Sequence, residues 1–213
     1  MEYILNTTKF ILQGTLTTIK LYTITAILCI PLGILLALLK SSKSSILKNL
    51  VGIYTWIFRG TPLLLQLFFV YFALPVIGIR FSQFTAAALT FVINYAAYLT
   101  EIFRAGIESI DKGQFEASKA LGMSYKQTMT RIIIPQAIRR VIPPCSNEAI
   151  NLVKDTALVA AIGMGDLLRS AKIVMTRDFT IIPFMIAIAL YLLMSSLIVT
   201  FFRKLEEKYS IGT

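Results

Sequence analysis

The sequence contains no histidine, and only two of its 213 residues are cysteine, Cys29 and Cys145. Without histidine the chain lacks the usual general base at neutral pH and the commonest metal ligand. No G-x-S-x-G elbow or cluster of metal ligands stands in for it, which argues against a membrane-embedded hydrolase and against a metal centre. The two cysteines are too far apart in sequence to suggest a disulfide or metal framework, and both lie within or beside apolar runs, as buried free thiols do. There is no G-x-x-x-x-G-K-[ST] loop, so ATP cannot be held here in the P-loop manner. The first fourteen residues lack the basic segment and small-residue cleavage site of a signal peptide. Charge is also scarce, at 15% of residues where a soluble domain carries about 25%.

Apolar residues fill the gap: 56% of the chain is hydrophobic and its mean hydropathy is +0.74. A helix crosses the hydrocarbon core with about 20 mostly apolar residues. Apolar zones of that length run over about 16–39, 51–74, 84–107 and 181–202, the second interrupted by Arg59-Gly60-Thr61-Pro62. A fifth and weaker zone, about 142–164, carries Lys154 and Asp155 side by side. A charge at the bilayer centre costs roughly 2.5–3.5 kcal/mol, so such a pair needs a reason to be there.

The net charge of +10 bears on topology. With five spans and the N-terminus outside, the inner segments hold Lys40, Lys43, Lys48, Arg59, Arg104, Lys112, Lys119, Lys126, Arg131, Arg139, Arg140, Arg203, Lys204 and Lys208. The outer segments hold only Lys9, Lys20, Arg80, Arg169, Lys172 and Arg177. This is the sign that the positive-inside rule demands, and it weakens if 142–164 does not cross. The expected fold is therefore an all-α membrane bundle of five spans, N-out and C-in, forming a single domain over 1–213.

The longest polar region, about 108–140, then faces the cytoplasm between spans three and four. Asp111 with Gln114, and Ser124 with Gln127, have the spacing of capping boxes. Gly122 and Pro135 read as the stops of two short helices joined by a Gly-Met-Ser turn. A DNA-binding helix-turn-helix is a poor rival, because the element sits between spans and its charges are of mixed sign.

"EASKALGMSYKQTMTRIIIPQA" in this loop resembles the EAA loop of permease subunits in bacterial ATP-binding-cassette importers. Glu116, Ala117, Gly122, Ile132 and Pro135 match at the family spacing, whereas Ser118 and Ile134 depart from it by small steric changes. "RGTPLLLQLFFVYF", "INYAAYLTEIFRAGIESI" and "NEAINLVKDTALVAAIG" are similar to the polar amino-acid branch of that family, so the likeness covers about 10–205. It implies a permease paired as a homo- or heterodimer, two separate ATPase subunits that carry ATP and magnesium, and an extracytoplasmic binding protein that delivers an amino acid. No cofactor is expected on this chain. The resemblance makes 112–122 a coupling helix that docks on the ATPase through Glu116, Ala117, Ala120, Leu121, Gly122 and Met123. Ala117, Ala120 and Leu121 share an arc of about 100°.

A permeation path needs polar groups facing the bundle interior. Asn147, Glu148, Asn151, Lys154 and Asp155 lie on one helical stripe. Asn94, Tyr98 and Glu101 follow one another at helical spacing, with Arg104 one turn past Glu101 in the place of an ion pair that steadies the loop. Thr61 before Pro62 reads as an N-cap ahead of a first-turn proline, and Gln66 lies one turn on. The candidate substrate contacts are Thr61, Pro62, Gln66, Asn94, Tyr98, Asn151, Lys154 and Asp155. Asp155 is expected to meet the ligand and Lys154 to hold the helix. The alternative is a small ion-coupled secondary transporter that uses the Lys154–Asp155 pair as a relay, though no internal repeat supports it.

Overall fold

The computed structural model describes residues 2–42 and 44–209; Met1, Lys43 and residues 210–213 lie outside it. Lys43, counted above with the inner charges, therefore has no described place. The described residues form helices and no strand. In chain order these are α1 (Glu2–Lys40), α2 (Ser45–Gly60), α3 (Leu63–Phe68), α4 (Gln83–Glu108), α5 (Lys112–Ala120), α6 (Tyr125–Thr128), α7 (Ile134–Asp155), α8 (Leu167–Asp178) and α9 (Ile182–Tyr209). A π-helical turn, Phe69–Ala73, and a 3-10 turn, Leu74–Ile77, prolong α3, and a 3-10 segment, Thr156–Ile162, prolongs α7.

Helix α4 is the centre of the bundle. Over its most apolar window 56% of residues are buried, against 11% for α9, whose bare side is left for lipid. Small residues make this possible: Ala86, Ala87, Ala96 and Ala97 are fully enclosed, which lets neighbouring backbones approach closely. Phe91 and Leu99 on α4 then pack with Leu21 and Cys29 of α1, Leu67 of α3 and Leu152 of α7.

Among the described residues three helices, α1, α4 and α9, are long and apolar enough to cross a membrane; the α2–α3 pair, bent by 102°, makes a fourth if it counts as one span. Helix α7 is not among them, because Arg139, Arg140, Glu148, Lys154 and Asp155 make it too polar. Helix α1 begins at Glu2, far ahead of the expected start of the first span near Leu16.

Three expectations about helix ends are corrected. Asp111 does cap α5, accepting from the Gly113 N–H at 2.6 Å, but Gln114 does not close a box with it. Its amide oxygen instead accepts from Gln136 at 3.3 Å, tying α5 to α7. Pro135 stops nothing: the chain stays helical from Tyr125 to Asp155 through a π turn at Met129–Ile133. Proline at the start of α7 lacks an N–H, and the wider turn just before it removes the clash that would otherwise break the helix. The third is Thr61, whose hydroxyl does not cap α3. The Ser124–Gln127 capping box forms as expected, and Gly122 adopts the left-handed φ of +73° that ends α5.

Helix α8 was not foreseen; its residues read as an outer connection. Its N-cap is Asp166, wholly buried, which accepts from the Leu168 and Arg169 N–H groups at 3.1 and 2.9 Å. Thr18 on α1 accepts from the Leu167 N–H at 3.2 Å. A β-carbon at Gly14 would run into the Ser170 hydroxyl and the Asp166 backbone, so α1 approaches the start of α8 too closely for a side chain at this position. At the other end of α8 the Tyr3 hydroxyl donates to Asp178 at 2.9 Å, and the Arg177 guanidinium holds the Asp178 carboxyl down to about 2.

Asp166→Ala strips the cap from α8 and should lower stability by about 1 kcal/mol or more, seen as a lower unfolding temperature of the purified chain in detergent. Gly14→Leu should be worse, because the backbone it meets cannot give way.

Candidate functional site

The interruption between α2 and α3 builds the site. Thr61 takes an extended conformation, as a residue before proline must, and its N–H and carbonyl leave the helical ladder. Its hydroxyl does not cap α3, as the sequence suggested, but donates back to the Ile57 carbonyl at 2.8 Å. Pro62 is the cap residue of α3 and offers no side-chain hydrogen bond.

Gln66 repairs the break. Its amide nitrogen donates to the Phe58 carbonyl at 3.0 Å, the Thr61 carbonyl at 3.1 Å and the Thr61 hydroxyl at 2.7 Å. Asn94, buried on α4, donates to the same Phe58 carbonyl at 2.8 Å and to the Gln66 amide oxygen at 3.0 Å. Both amides were expected to contact a ligand. Here they are spent on backbone carbonyls that a membrane interior would otherwise leave unpaired.

Around this staple lies a cavity of about 500 Å³ between the break, α4 and α7. Thr61, Pro62, Asn94, Tyr98, Asn151 and Asp155 line it, so six of the eight expected residues converge there. Gln66 and Lys154 do not line it. Lys154 is exposed and makes no hydrogen bond or ion pair among the described residues.

Three lining residues with polar side chains were not selected from the sequence: Arg59, Tyr95 and Glu148. The Arg59 guanidinium carbon lies 5.4 Å from the centre of the Tyr98 ring, and the Tyr98 hydroxyl donates to the Arg59 carbonyl at 3.4 Å. Tyr95, only 3% exposed, donates its hydroxyl to Asp155 at 2.7 Å. Among the described residues Arg59 forms no ion pair and the Glu148 carboxylate no hydrogen bond, so one cation and one anion are left for a ligand. The signals were present: Glu148 belongs to the polar stripe, and Arg59 opens the R-G-T-P break. Tyr95 had none, since one more aromatic in an apolar helix reads as core.

Arg59, Tyr98 and Glu148 also line a second cavity of about 600 Å³, which continues between α4 and α7 to Arg104, Ser109 and Arg140 at the polar loop. Along this edge Glu101 binds Lys40 and accepts from Arg104 Nη2 at 2.9 Å. Lys40 in turn donates to Thr55 at 2.9 Å. The expected Glu101–Arg104 pair exists, and through Lys40 it also joins the end of α1 to α2. Of the expected coupling residues, Glu116, Ala117, Ala120, Leu121 and Gly122 are exposed and Met123 is half-buried. Leu121 is 81% exposed, with Tyr125 at 76% beside it, so the loop presents apolar surface outward.

Residues 29–210 match the family described as binding-protein-dependent transport system inner membrane component. A putative glutamine transport system permease protein of Rickettsia typhi is 45% identical over 204 residues, 95% of this chain and 93% of that one. The arginine transport system permease protein ArtQ of Bacillus subtilis is 42% identical over 200 residues, 93% of this chain and 91% of its own length. A crystal structure of an amino acid ABC transporter with histidines superposes with a TM-score of 0.90 at 34% identity, covering 97% of each chain. Inward-facing structures of the MetNI methionine ABC transporter share the fold, with a TM-score of 0.75 at 19% identity over 94% of this chain and 96% of that one.

Asn94→Leu should orphan the Gln66 amide oxygen and weaken the staple, costing about 1–3 kcal/mol. Thermal unfolding of the purified chain reads this directly, and Asn94→Asp, which cannot donate to the Phe58 carbonyl, should lose stability as well.

Proposed function

We propose a function from one premise: the chain belongs to the family of binding-protein-dependent transport system inner membrane components. It is a multi-pass inner-membrane permease of the amino-acid ABC type. Our reading is that five spans cross N-out and C-in, α7 with its 3-10 extension being the polar fifth. Two such subunits, identical or different, enclose a path, with ATP and magnesium held on separate ATPase subunits. An extracytoplasmic binding protein delivers an amino acid. The subunit itself carries out transport and no bond chemistry.

The observation that carries this reading is the pair of cavities between α4 and α7 that share Arg59, Tyr98 and Glu148 in their walls. In the first cavity an α-carboxylate has Arg59 to pair with, and an α-ammonium has Asp155 and Glu148. Two carboxylates against one guanidinium favour a zwitterionic or cationic amino acid over an acidic one. Thr61 and Asn151 supply neutral contacts, while Gln66 and Asn94 hold the wall in place. The exposed apolar surface of Ala117, Ala120 and Leu121 is the face we assign to the ATPase. Movement of α5 would pass into the bundle through the Gln114–Gln136 bond and the Arg140 bond to the Ser109 carbonyl.

In proteoliposomes holding the whole transporter, Asp155→Asn should raise the apparent KM for uptake roughly tenfold, equivalent to about 1.4 kcal/mol, with basal ATP hydrolysis kept. An unchanged KM and selectivity would remove Asp155 from the site. Lys154→Met should leave the KM as it is. Leu121→Glu should prevent the ATPase from co-purifying with the permease, because it places a charge in an apolar contact.

A further inference from the structure

A second kind of cavity lies behind the wall made by Tyr95 and Glu148. It measures about 580 Å³ and is enclosed by α1, α4, α7 and α9. Apart from Glu148 and the tyrosines Tyr22 and Tyr95, every residue lining it is apolar, both cysteines among them. Such a space stays dry, and left unfilled it forfeits the dispersion contacts of its walls.

Its opening is marked by residues that line it and are also exposed: Ile30 at 47% on α1, and Leu197 and Phe201 at 63% and 59% on α9. The mouth therefore lies between α1 and α9 and faces the lipid. The deep end is formed by Cys29, Leu99 and Leu152, each no more than 5% exposed, out of reach of a flat protein surface. The lining face of α9 runs through Leu197, Phe201 and Leu205, and one turn further on it carries Lys208 and Tyr209, both exposed. Arg203 and Glu207 are within 4.0 Å of each other and lie off this face. An ammonium and a phenol at the end of an apolar slot are the side chains that meet headgroups at a membrane surface.

We propose that this cavity is a phospholipid site, with one acyl chain threaded between α1 and α9 to Cys29 and Leu99 and the headgroup phosphate at Lys208 and Tyr209. The chain end then packs on Tyr95, the residue that holds Asp155 from the other side. Lipid occupancy thereby supports the wall of the polar cavity.

The test uses the wild-type transporter in nanodiscs containing a phospholipid with a photoactivatable group near the end of its acyl chain. After illumination and proteolysis, the crosslinks should fall on the buried segments around Cys29 and Leu99. Crosslinks confined to outward residues such as Ile27 and Leu193 would overturn the proposal. Ala149→Phe, which puts a ring into the cavity, should abolish the buried crosslinks and leave the outward ones. Lys208→Gln with Tyr209→Phe should reduce the buried crosslinks by a large factor. If no lipid reaches the buried segments and a separate bifunctional amine crosslinker joins two permease copies across this opening instead, the occupant is a second subunit and the lipid assignment fails.

Discussion

The structure depends on one constraint: a backbone polar group in a dry, low-dielectric interior must find a partner. A continuous helix meets it without help, but a helix broken at Gly60–Pro62 does not. The side chains of Gln66 and Asn94 stand in for the missing rungs, and they do so from two different helices. The break is therefore closed by tertiary contacts that fix α2, α3 and α4 relative to one another. The cavity exists because the chain turns there, and it is stable because the turn is satisfied.

With the amides occupied, the charged and phenolic groups are free to face the cavity. Arg59 is steadied by the Tyr98 ring, and Asp155 by the Tyr95 hydroxyl, so each is oriented without its charge being neutralised. Charges that are neutralised sit elsewhere, in the Lys40–Glu101–Arg104–Glu108 group near the polar loop. Paired charges thus gather near the polar loop, while Arg59 and Glu148, with no ion pair among the described residues, line the cavity.

Periodicity and charge made much of this readable in advance. The apolar zones, the break, the loop with its glycine stop and the polar stripe all follow from local sequence, and six expected site residues meet in one cavity. Most of what was missed depended on what a side chain finds across the bundle. The part that Gln66 and Asn94 play in closing the break could not be read locally, because their acceptors are carbonyls exposed only by the fold. Pro135 looked like a stop because nothing local announces a π turn. Asp166 sat in a connection whose helix forms against α1, and Tyr95 could not be told from core until Asp155 was beside it.

That π turn has a consequence of its own. An ordinary helix advances about 100° per residue, so one extra residue in a turn rotates everything beyond it by that angle. Tyr125 to Asp155 is one helical rod with two azimuths: one at the loop end, where Ser124 and Gln127 fix it, and one at the cavity, where Glu148, Asn151 and Asp155 must face α4. The wide turn at Met129–Ile133 sets the offset between them. It acts as a phase adjuster, allowing the end of the rod at the polar loop and the surface that meets the cavity to be aimed separately on a single shaft.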